Sequence, residues 1–260
     1  PLVRESYLYP LETFQSNVIG TANLLQSARE IGSLKAVVNI TTDKCYENKE
    51  WIWSYRENDR LGGYDPYSNS KACAELVIDS FRKSFFKESD VGIASARAGN
   101  VIGGGDWARD RLLPDFFRSF EANKSLLIRS PNSIRPWQHV LEPISGYLCL
   151  AQKLAESKNE YDQAWNFGPE EHDSKSVSWI ADRLCKKVSG SKWELDEDPQ
   201  LHEAENLKLD SSKAKKYLNW KPKLNLNDAL EMTVDWYMKW KEKGDIQNLS
   251  IDQIENYSNL

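Results

Sequence analysis

Apolar positions in LETFQSNVIGTANLLQSAREI, residues 11–31, fall at 11, 14, 18, 22, 25 and 28. Steps of three and four put them on one face of a helix, and Gly32 supplies a stop. The period then changes. KAVVNI, residues 35–40, is short, apolar and β-branched, as expected of a buried strand. Residues 46–65 are largely polar, contain Trp51, Trp53 and Gly62-Gly63, and form a long loop in this reading. Loops of that length inside a domain usually carry function or are disordered. Helical spacing returns from Pro66 to Phe86, followed by the strand-like VGIASAR, the Gly-rich turn GNVIGGGDW and a helix over 112–123. QAWNFG, residues 163–168, is a third buried strand, and further helices are expected at 176–189, 211–218 and 228–243. Strands alternating with amphipathic helices indicate an α/β fold with a mostly parallel sheet. The polar tail after Gly244 carries scattered Ile and Leu and its pattern predicts no element.

With 260 residues there is room for one large domain or two interleaved ones. Hydrophobic residues make up 40% and charged residues 28%, as in a globular chain, and no apolar run approaches the roughly 18 residues of a membrane span. A net charge of −5 argues against a general nucleic-acid binder but leaves room for an anionic small ligand held by local arginines. Cys45, Cys73, Cys149 and Cys185 form no CxxC pair, and only His139, His172 and His202 could join them, so no metal site is expected. Scattered thiols suit a reducing cytoplasm. Nothing resembles a signal peptide, and a chain that begins at Pro1 is expected to have lost its true start. The ten tryptophans are expected in the core or at its rim.

Candidate chemistry begins where KAVVNI ends. Thr42, Asp43 and Lys44 deliver a hydroxyl, a carboxylate and an ammonium beyond the strand's carboxyl end, where ligands collect in open α/β sheets. Asp and Lys are equally ordinary turn residues. A second group lies in YDPYSNSKACAE, where Tyr67 and Lys71 are one turn apart on the expected helix. A free tyrosine titrates at about 10, and a neighbouring ammonium favours the phenolate, which yields a usable general base. YxxxK alone is also a plain exposed helix face.

The order of these pieces, a strand ending in TTDK, then YxxxK on a helix, then another strand, resembles the extended short-chain dehydrogenases. PLVRESYLYPLETFQSNVIGT, TTDKCYEN, YRENDRLGGYDPYSNSKACAELVI, RAGNVIGGGDWARDRLLPD and IRPWQHVLEP together resemble the CDP-glucose 4,6-dehydratase family, over residues 1 to about 240. The resemblance implies a Rossmann-like doubly wound parallel sheet, an NAD-binding portion over 1–102 and a smaller interleaved nucleotide-sugar portion over 103–260, with a return strand near 163–168. It implies NAD as cofactor, CDP-glucose as substrate, no membrane partner and a homodimer or higher homo-oligomer. Tyr67 would take the proton from the sugar 4-hydroxyl, Lys71 would hold the nicotinamide ribose, and Thr42 would orient the 4-oxygen. Asp43 would protonate the departing 6-hydroxyl, and Lys44 would remove the C5 proton or stabilise the enolate. Lys44 departs from dTDP-glucose relatives, which carry Glu there. A lysine base must be neutral, whereas a charged one acts only electrostatically.

GNVIGGGDW does not fit GxGxxG, and neither GxGxxG nor GxxGxxG occurs in the chain. It reads as a flexible turn or, by resemblance, as the substrate cleft with Asn100 near the sugar diphosphate. Arg111 and Arg135 match positions facing that diphosphate, a role suited to a planar guanidinium fork. His139 matches a structural position. The family's opening strand, Gly-rich turn and helix do not precede Pro1, so an N-terminally incomplete cofactor domain is expected, inactive if that unit is lost. Competing readings are a dehydratase of another nucleotide sugar, an epimerase, or a non-catalytic remnant that binds a nucleotide sugar or a partner chain.

Overall fold

The computed structural model describes residues 2–198 and 204–260; His202 lies outside the described residues. The chain opens with α1 (Val3–Leu8), α2 (Pro10–Phe14), a π-helical stretch Gln15–Ile19 and α3 (Gly20–Ala28). β1 (Ala36–Ile40), a 3₁₀ turn Asp43–Cys45 and α4 (Pro66–Phe81) follow, and α4 runs on as a π-helical stretch to Phe86. Then come β2 (Gly92–Ala98), β3 (Asn100–Ile102), α5 (Leu112–Glu121), β4 (Leu126–Ile128) and β5 (Ile134–His139). The remaining elements are α6 (Leu141–Glu156), α7 (Lys158–Tyr161), β6 (Ala164–Phe167), β7 (Ser174–Ser176), α8 (Val177–Lys187), β8 (Trp193–Leu195), α9 (Leu226–Lys241) and α10 (Ile246–Asn259).

Two interleaved units result. The first comprises Pro1–Gly99, Ile144–Gly168 and Leu207–Lys221. The sequence suggests a return strand near 163–168; the unit also takes back most of α6 and a third segment after residue 206. Its sheet has the order β1-β2-β6 and is parallel throughout, with Ala36 opposite Gly92 and Ala98 opposite Phe167. Successive residues of a strand face opposite sides. On β2, Ala94 and Ala96 therefore join Leu150, Leu154, Trp165, Phe167 and Trp220 in one cluster. Ile93 joins Leu25, Ala28, Ile78 and Phe86 on the other face, where Ser95 and Arg97 also point toward α4. Small alanines on one side admit large rings opposite them.

The second unit comprises Asn100–Pro143, Pro169–Asn206 and Pro222–Leu260. Here β3 pairs parallel with β5, β5 pairs antiparallel with β7, and β4 pairs parallel with β8. Its core joins Leu113, Phe116 and Phe117 of α5 to Ile180 and Leu184 of α8 and to Leu230 and Val234 of α9. The tail is helical because α10 is tied down: Tyr257 Oη donates to the buried Glu142 carboxylate at 2.8 Å, and Lys223 Nζ donates to Tyr257 O at 3.1 Å. The Gly-rich turn has a packing reason, since a Cβ at Gly104 would stand 2.1 Å from the Trp236 ring.

Candidate active site

β1 ends and the chain turns at once. Thr42 is extended, and its hydroxyl accepts from Lys44 N at 3.3 Å, capping the 3₁₀ turn Asp43–Cys45. The same hydroxyl donates to Asp43 Oδ1 at 3.0 Å, and Lys44 Nζ lies 3.4 Å from that oxygen. Asp43 is fully buried, and its second oxygen, Oδ2, has no partner among the described residues. A buried carboxylate oxygen left unpaired is costly. The segment is thus the capped turn that the plainer reading expects, and the turn carries a buried carboxylate with one oxygen left unpaired among the described residues.

α4 brings the second group. Asp65 caps it by accepting from Ser68 N at 2.9 Å and from Ser68 Oγ at 2.6 Å, and Pro66 occupies its first turn. Tyr67, near the start, is buried, and its backbone N–H donates to Ser6 Oγ of α1 at 3.1 Å. One turn on, Lys71 Nζ reaches Ile40 O, the last residue of β1, at 3.3 Å. Burial lowers the Lys71 pKa, and the Glu75 carboxylate and Cys45 oppose that shift. The helix-borne ammonium is thus brought to the strand end from which Thr42, Asp43 and Lys44 continue. Burial pushes the Cys45 thiol up and keeps it protonated, so it is no competing nucleophile.

Three neighbours escape the sequence reading. Glu75 continues the Tyr67 and Lys71 face by one more turn, a spacing that could have flagged it. Arg97, its buried partner at 2.7 Å, leaves no local signal in VGIASAR. Tyr147 on α6 is held a neutral phenol by burial and by the Asp43 carboxylate, and nothing in its segment announces this.

Asn100, Arg111 and Arg135 belong to the second unit. Asn100 opens β3. Arg111 sits at the N-cap of α5, and its Nη1 donates to Asp106 Oδ2 at 3.1 Å. Arg135 is buried on β5; it donates to Ile134 O at 2.9 Å, to Glu205 O at 3.2 Å and to Ala204 O. Much of its fork is therefore spent on backbone carbonyls. His139 is buried too; its Nδ1 accepts from Leu141 N at 3.3 Å, while Nε2 has no partner among the described residues. Among the described residues no group of three metal-ligating side chains exists, and no helix is long and apolar enough to cross a membrane.

The Thr42-Asp43-Lys44 turn at the end of β1 and the helix of Tyr67 and Lys71 are thus joined through the Lys71 contact with Ile40 O. The family model described as GDP-mannose 4,6 dehydratase matches residues 2–233. The chain belongs to that dehydratase family. CDP-glucose 4,6-dehydratase of Salmonella typhimurium is 52% identical over 99% of this chain and 73% of its own length. The low-salt glycan biosynthesis protein Agl12 of Haloferax volcanii is 26% identical over 86% of this chain and 68% of its own. Among solved structures, UDP-glucuronic acid 4-epimerase from Bacillus cereus, in complex with UDP-glucuronic acid and NAD, matches with a TM-score of 0.79 at 22% identity, covering 92% of this chain and 73% of that one. A dTDP-glucose 4,6-dehydratase from Streptomyces venezuelae with NAD bound gives 0.75 at 21% identity, covering 94% and 72%. These likenesses show the fold, a Rossmann-like α/β sheet with helices.

Proposed function

We propose that this chain carries the catalytic set of an NAD-dependent CDP-glucose 4,6-dehydratase, which converts CDP-glucose to CDP-4-keto-6-deoxyglucose for deoxysugar biosynthesis. The observation that carries the reading is the Asp43-Lys44 turn, with its buried unpaired carboxylate oxygen, next to the helix of Tyr67 and Lys71. The 52% identical relative supports CDP-glucose as the substrate.

NAD fits this site at its nicotinamide end, because Lys71 already reaches a carbonyl oxygen beyond which the chemistry lies, and a ribose hydroxyl can take the place of that acceptor. Tyr67 and Lys71 are the residues that would hold it. The chemistry NAD would supply there is reversible hydride acceptance, from C4 and back to C6. Tyr67 removes the proton of the 4-hydroxyl, with the Lys71 ammonium stabilising the phenolate. Thr42 donates to the 4-oxygen. Its one hydroxyl proton points at Asp43 in this structure, so it must rotate, and protonation of Asp43 releases it. The 4-ketone makes the C5 proton acidic. Asp43, in its acid form, then protonates the departing 6-hydroxyl while Lys44 removes the C5 proton or stabilises the enolate. Simple 4-epimerisation needs no such pair, which favours the dehydratase over the epimerase.

Asn100, Arg111 and Arg135 are assigned to the nucleotide diphosphate, Arg111 being the arginine whose donors are less committed to the backbone. A homodimer is supported by the apolar side chains on the helices of the first unit: Leu8, Leu11 and Leu76 are 74%, 77% and 59% exposed. Four free thiols fit a cytoplasmic enzyme. The test is product analysis of the full-length protein with NAD and, separately, CDP-glucose, GDP-mannose, UDP-glucose and dTDP-glucose. A 4-keto-6-deoxy product from CDP-glucose is expected; turnover of another sugar in its place overturns the substrate, and turnover of none overturns the activity.

A further inference from the structure

Glu75 is 4% exposed, and its carboxylate collects three donors, one from the residue just past β1 and two from β2. Thr41 Oγ1, one residue before Thr42, donates to Oε1 at 2.5 Å. Ser95 Oγ and Arg97 Nη2, both of β2, donate to Oε2 at 2.7 Å each. Burial alone would raise the carboxyl, but Arg97 and the two hydroxyls outweigh it and hold Glu75 below the usual carboxylate range. Arg97 is itself fixed. Its Nη1 donates to Tyr46 Oη at 2.9 Å and to Glu57 O at 3.1 Å, its guanidinium lies 5.0 Å from the Tyr46 ring centroid, and Tyr46 Oη donates to Asn166 Oδ1 of β6 at 2.7 Å.

A buried ion pair rarely stabilises a fold more than apolar residues of the same shape would. What this one does is geometric. Tyr67, Lys71 and Glu75 lie on one face of α4, and the third of them is bonded to the residue immediately before the TDK turn. We infer that Glu75 is a positioning residue, which holds the helix carrying Tyr67 and Lys71 in register with the strand end carrying Thr42, Asp43 and Lys44, through Thr41. The inference rests on the dehydratase reading above and adds two residues to it. Thr41 and Glu75 touch neither sugar nor cofactor; they set the distance between the two halves of the site. Reactions of this kind are sensitive to that distance, and a misplacement of about 1 Å can cost on the order of a hundredfold in rate.

Thr41→Val removes the strand-end hydroxyl at constant shape and leaves the Glu75–Arg97 pair intact. In the full-length enzyme it should lower kcat for CDP-glucose between about ten- and a hundredfold with KM nearly unchanged. Thr41→Ser, which keeps the hydroxyl, should restore most of the loss. Glu75→Gln, which keeps shape and one acceptor, should fall between the two, and Glu75→Leu should be the slowest. Thr41→Val at the parental kcat, or Thr41→Ser no faster than Thr41→Val, overturns the inference. So does a fall in activity that tracks only the fraction of folded enzyme measured by circular dichroism on the same samples. Absence of dehydration by the parent itself would instead overturn the function.

Discussion

Lowering the pH from 8 to 5 should weaken the fold through one buried imidazole. His139 on β5 is 2% exposed, and burial lowers its pKa from 6.5 to about 4. Its Nδ1 accepts from Leu141 N, so the folded ring is neutral and resists a second proton. The unfolded chain takes up that proton as pH falls through about 6.5, the folded chain not until about 4. Between those values the unfolded state binds more protons, so stability rises with pH there and is lost on acidification. Integrating the linkage from pH 8 to 5 gives a loss of about 2 kcal/mol from this residue, and the full difference at lower pH is roughly 3 kcal/mol. The assay is urea unfolding at pH 5, 6, 7 and 8, for the parent and for His139→Gln, whose amide oxygen can still accept from Leu141 N. Subtracting the two pH profiles cancels every group common to both. The difference should be about 2 kcal/mol steeper in the parent. Parallel profiles would refute the reasoning, since they would mean that His139 charges freely in the folded state.

Three further outcomes follow from the site and the core. Tyr67→Phe should abolish dehydration in the full-length enzyme while leaving nucleotide-sugar affinity largely intact; turnover within about tenfold of the parent would remove Tyr67 from its role. Asp43→Asn or Lys44→Met should permit oxidation at C4 but stall water loss, so that NADH absorbance rises without 4-keto-6-deoxy product. Parental product rates in both would return the two residues to a plain turn. A Cβ at Gly146 would stand 2.3 Å from Phe167 Cδ1, so Gly146→Ala should cost about 1–3 kcal/mol in thermal or urea unfolding, and adding Phe167→Leu should recover part of it; a purely additive double variant would contradict the packing argument.

What was legible in the sequence was local. α4 announces itself through Asp65, Pro66 and its apolar spacing, and β1, β2 and β6 through short β-branched or small apolar runs bounded by turns. The long apolar pattern of 11–31 also folds as helix, but its middle widens into a π-helical stretch that periodicity does not encode. α6 was missed because Pro143 and Gly146 interrupt a run whose apolar residues serve long-range contacts with Trp165 and Trp220. The strands β3, β4 and β7 span three residues each, too few to show a period. α10 depends on the Tyr257–Glu142 bond across 115 positions, which no window can contain. The division into units is hidden for the same reason, since segments after residues 143 and 206 return to the first unit. The site divides likewise. The order of TTDK and YxxxK carries the family resemblance, whereas the Glu75–Arg97 pair is a product of the parallel register of β1 and β2 against α4.

The central claim, that one site oxidises C4 and also expels water across C5 and C6, is tested most directly with CDP-glucose deuterated at C4. The full-length enzyme with NAD should give a 4-keto-6-deoxy product that carries the deuterium at C6 and a solvent-derived hydrogen at C5. A product that keeps its 6-hydroxyl and retains deuterium at C4, with inverted configuration there, would contradict the account and make the Asp43-Lys44 turn a bystander to epimerisation.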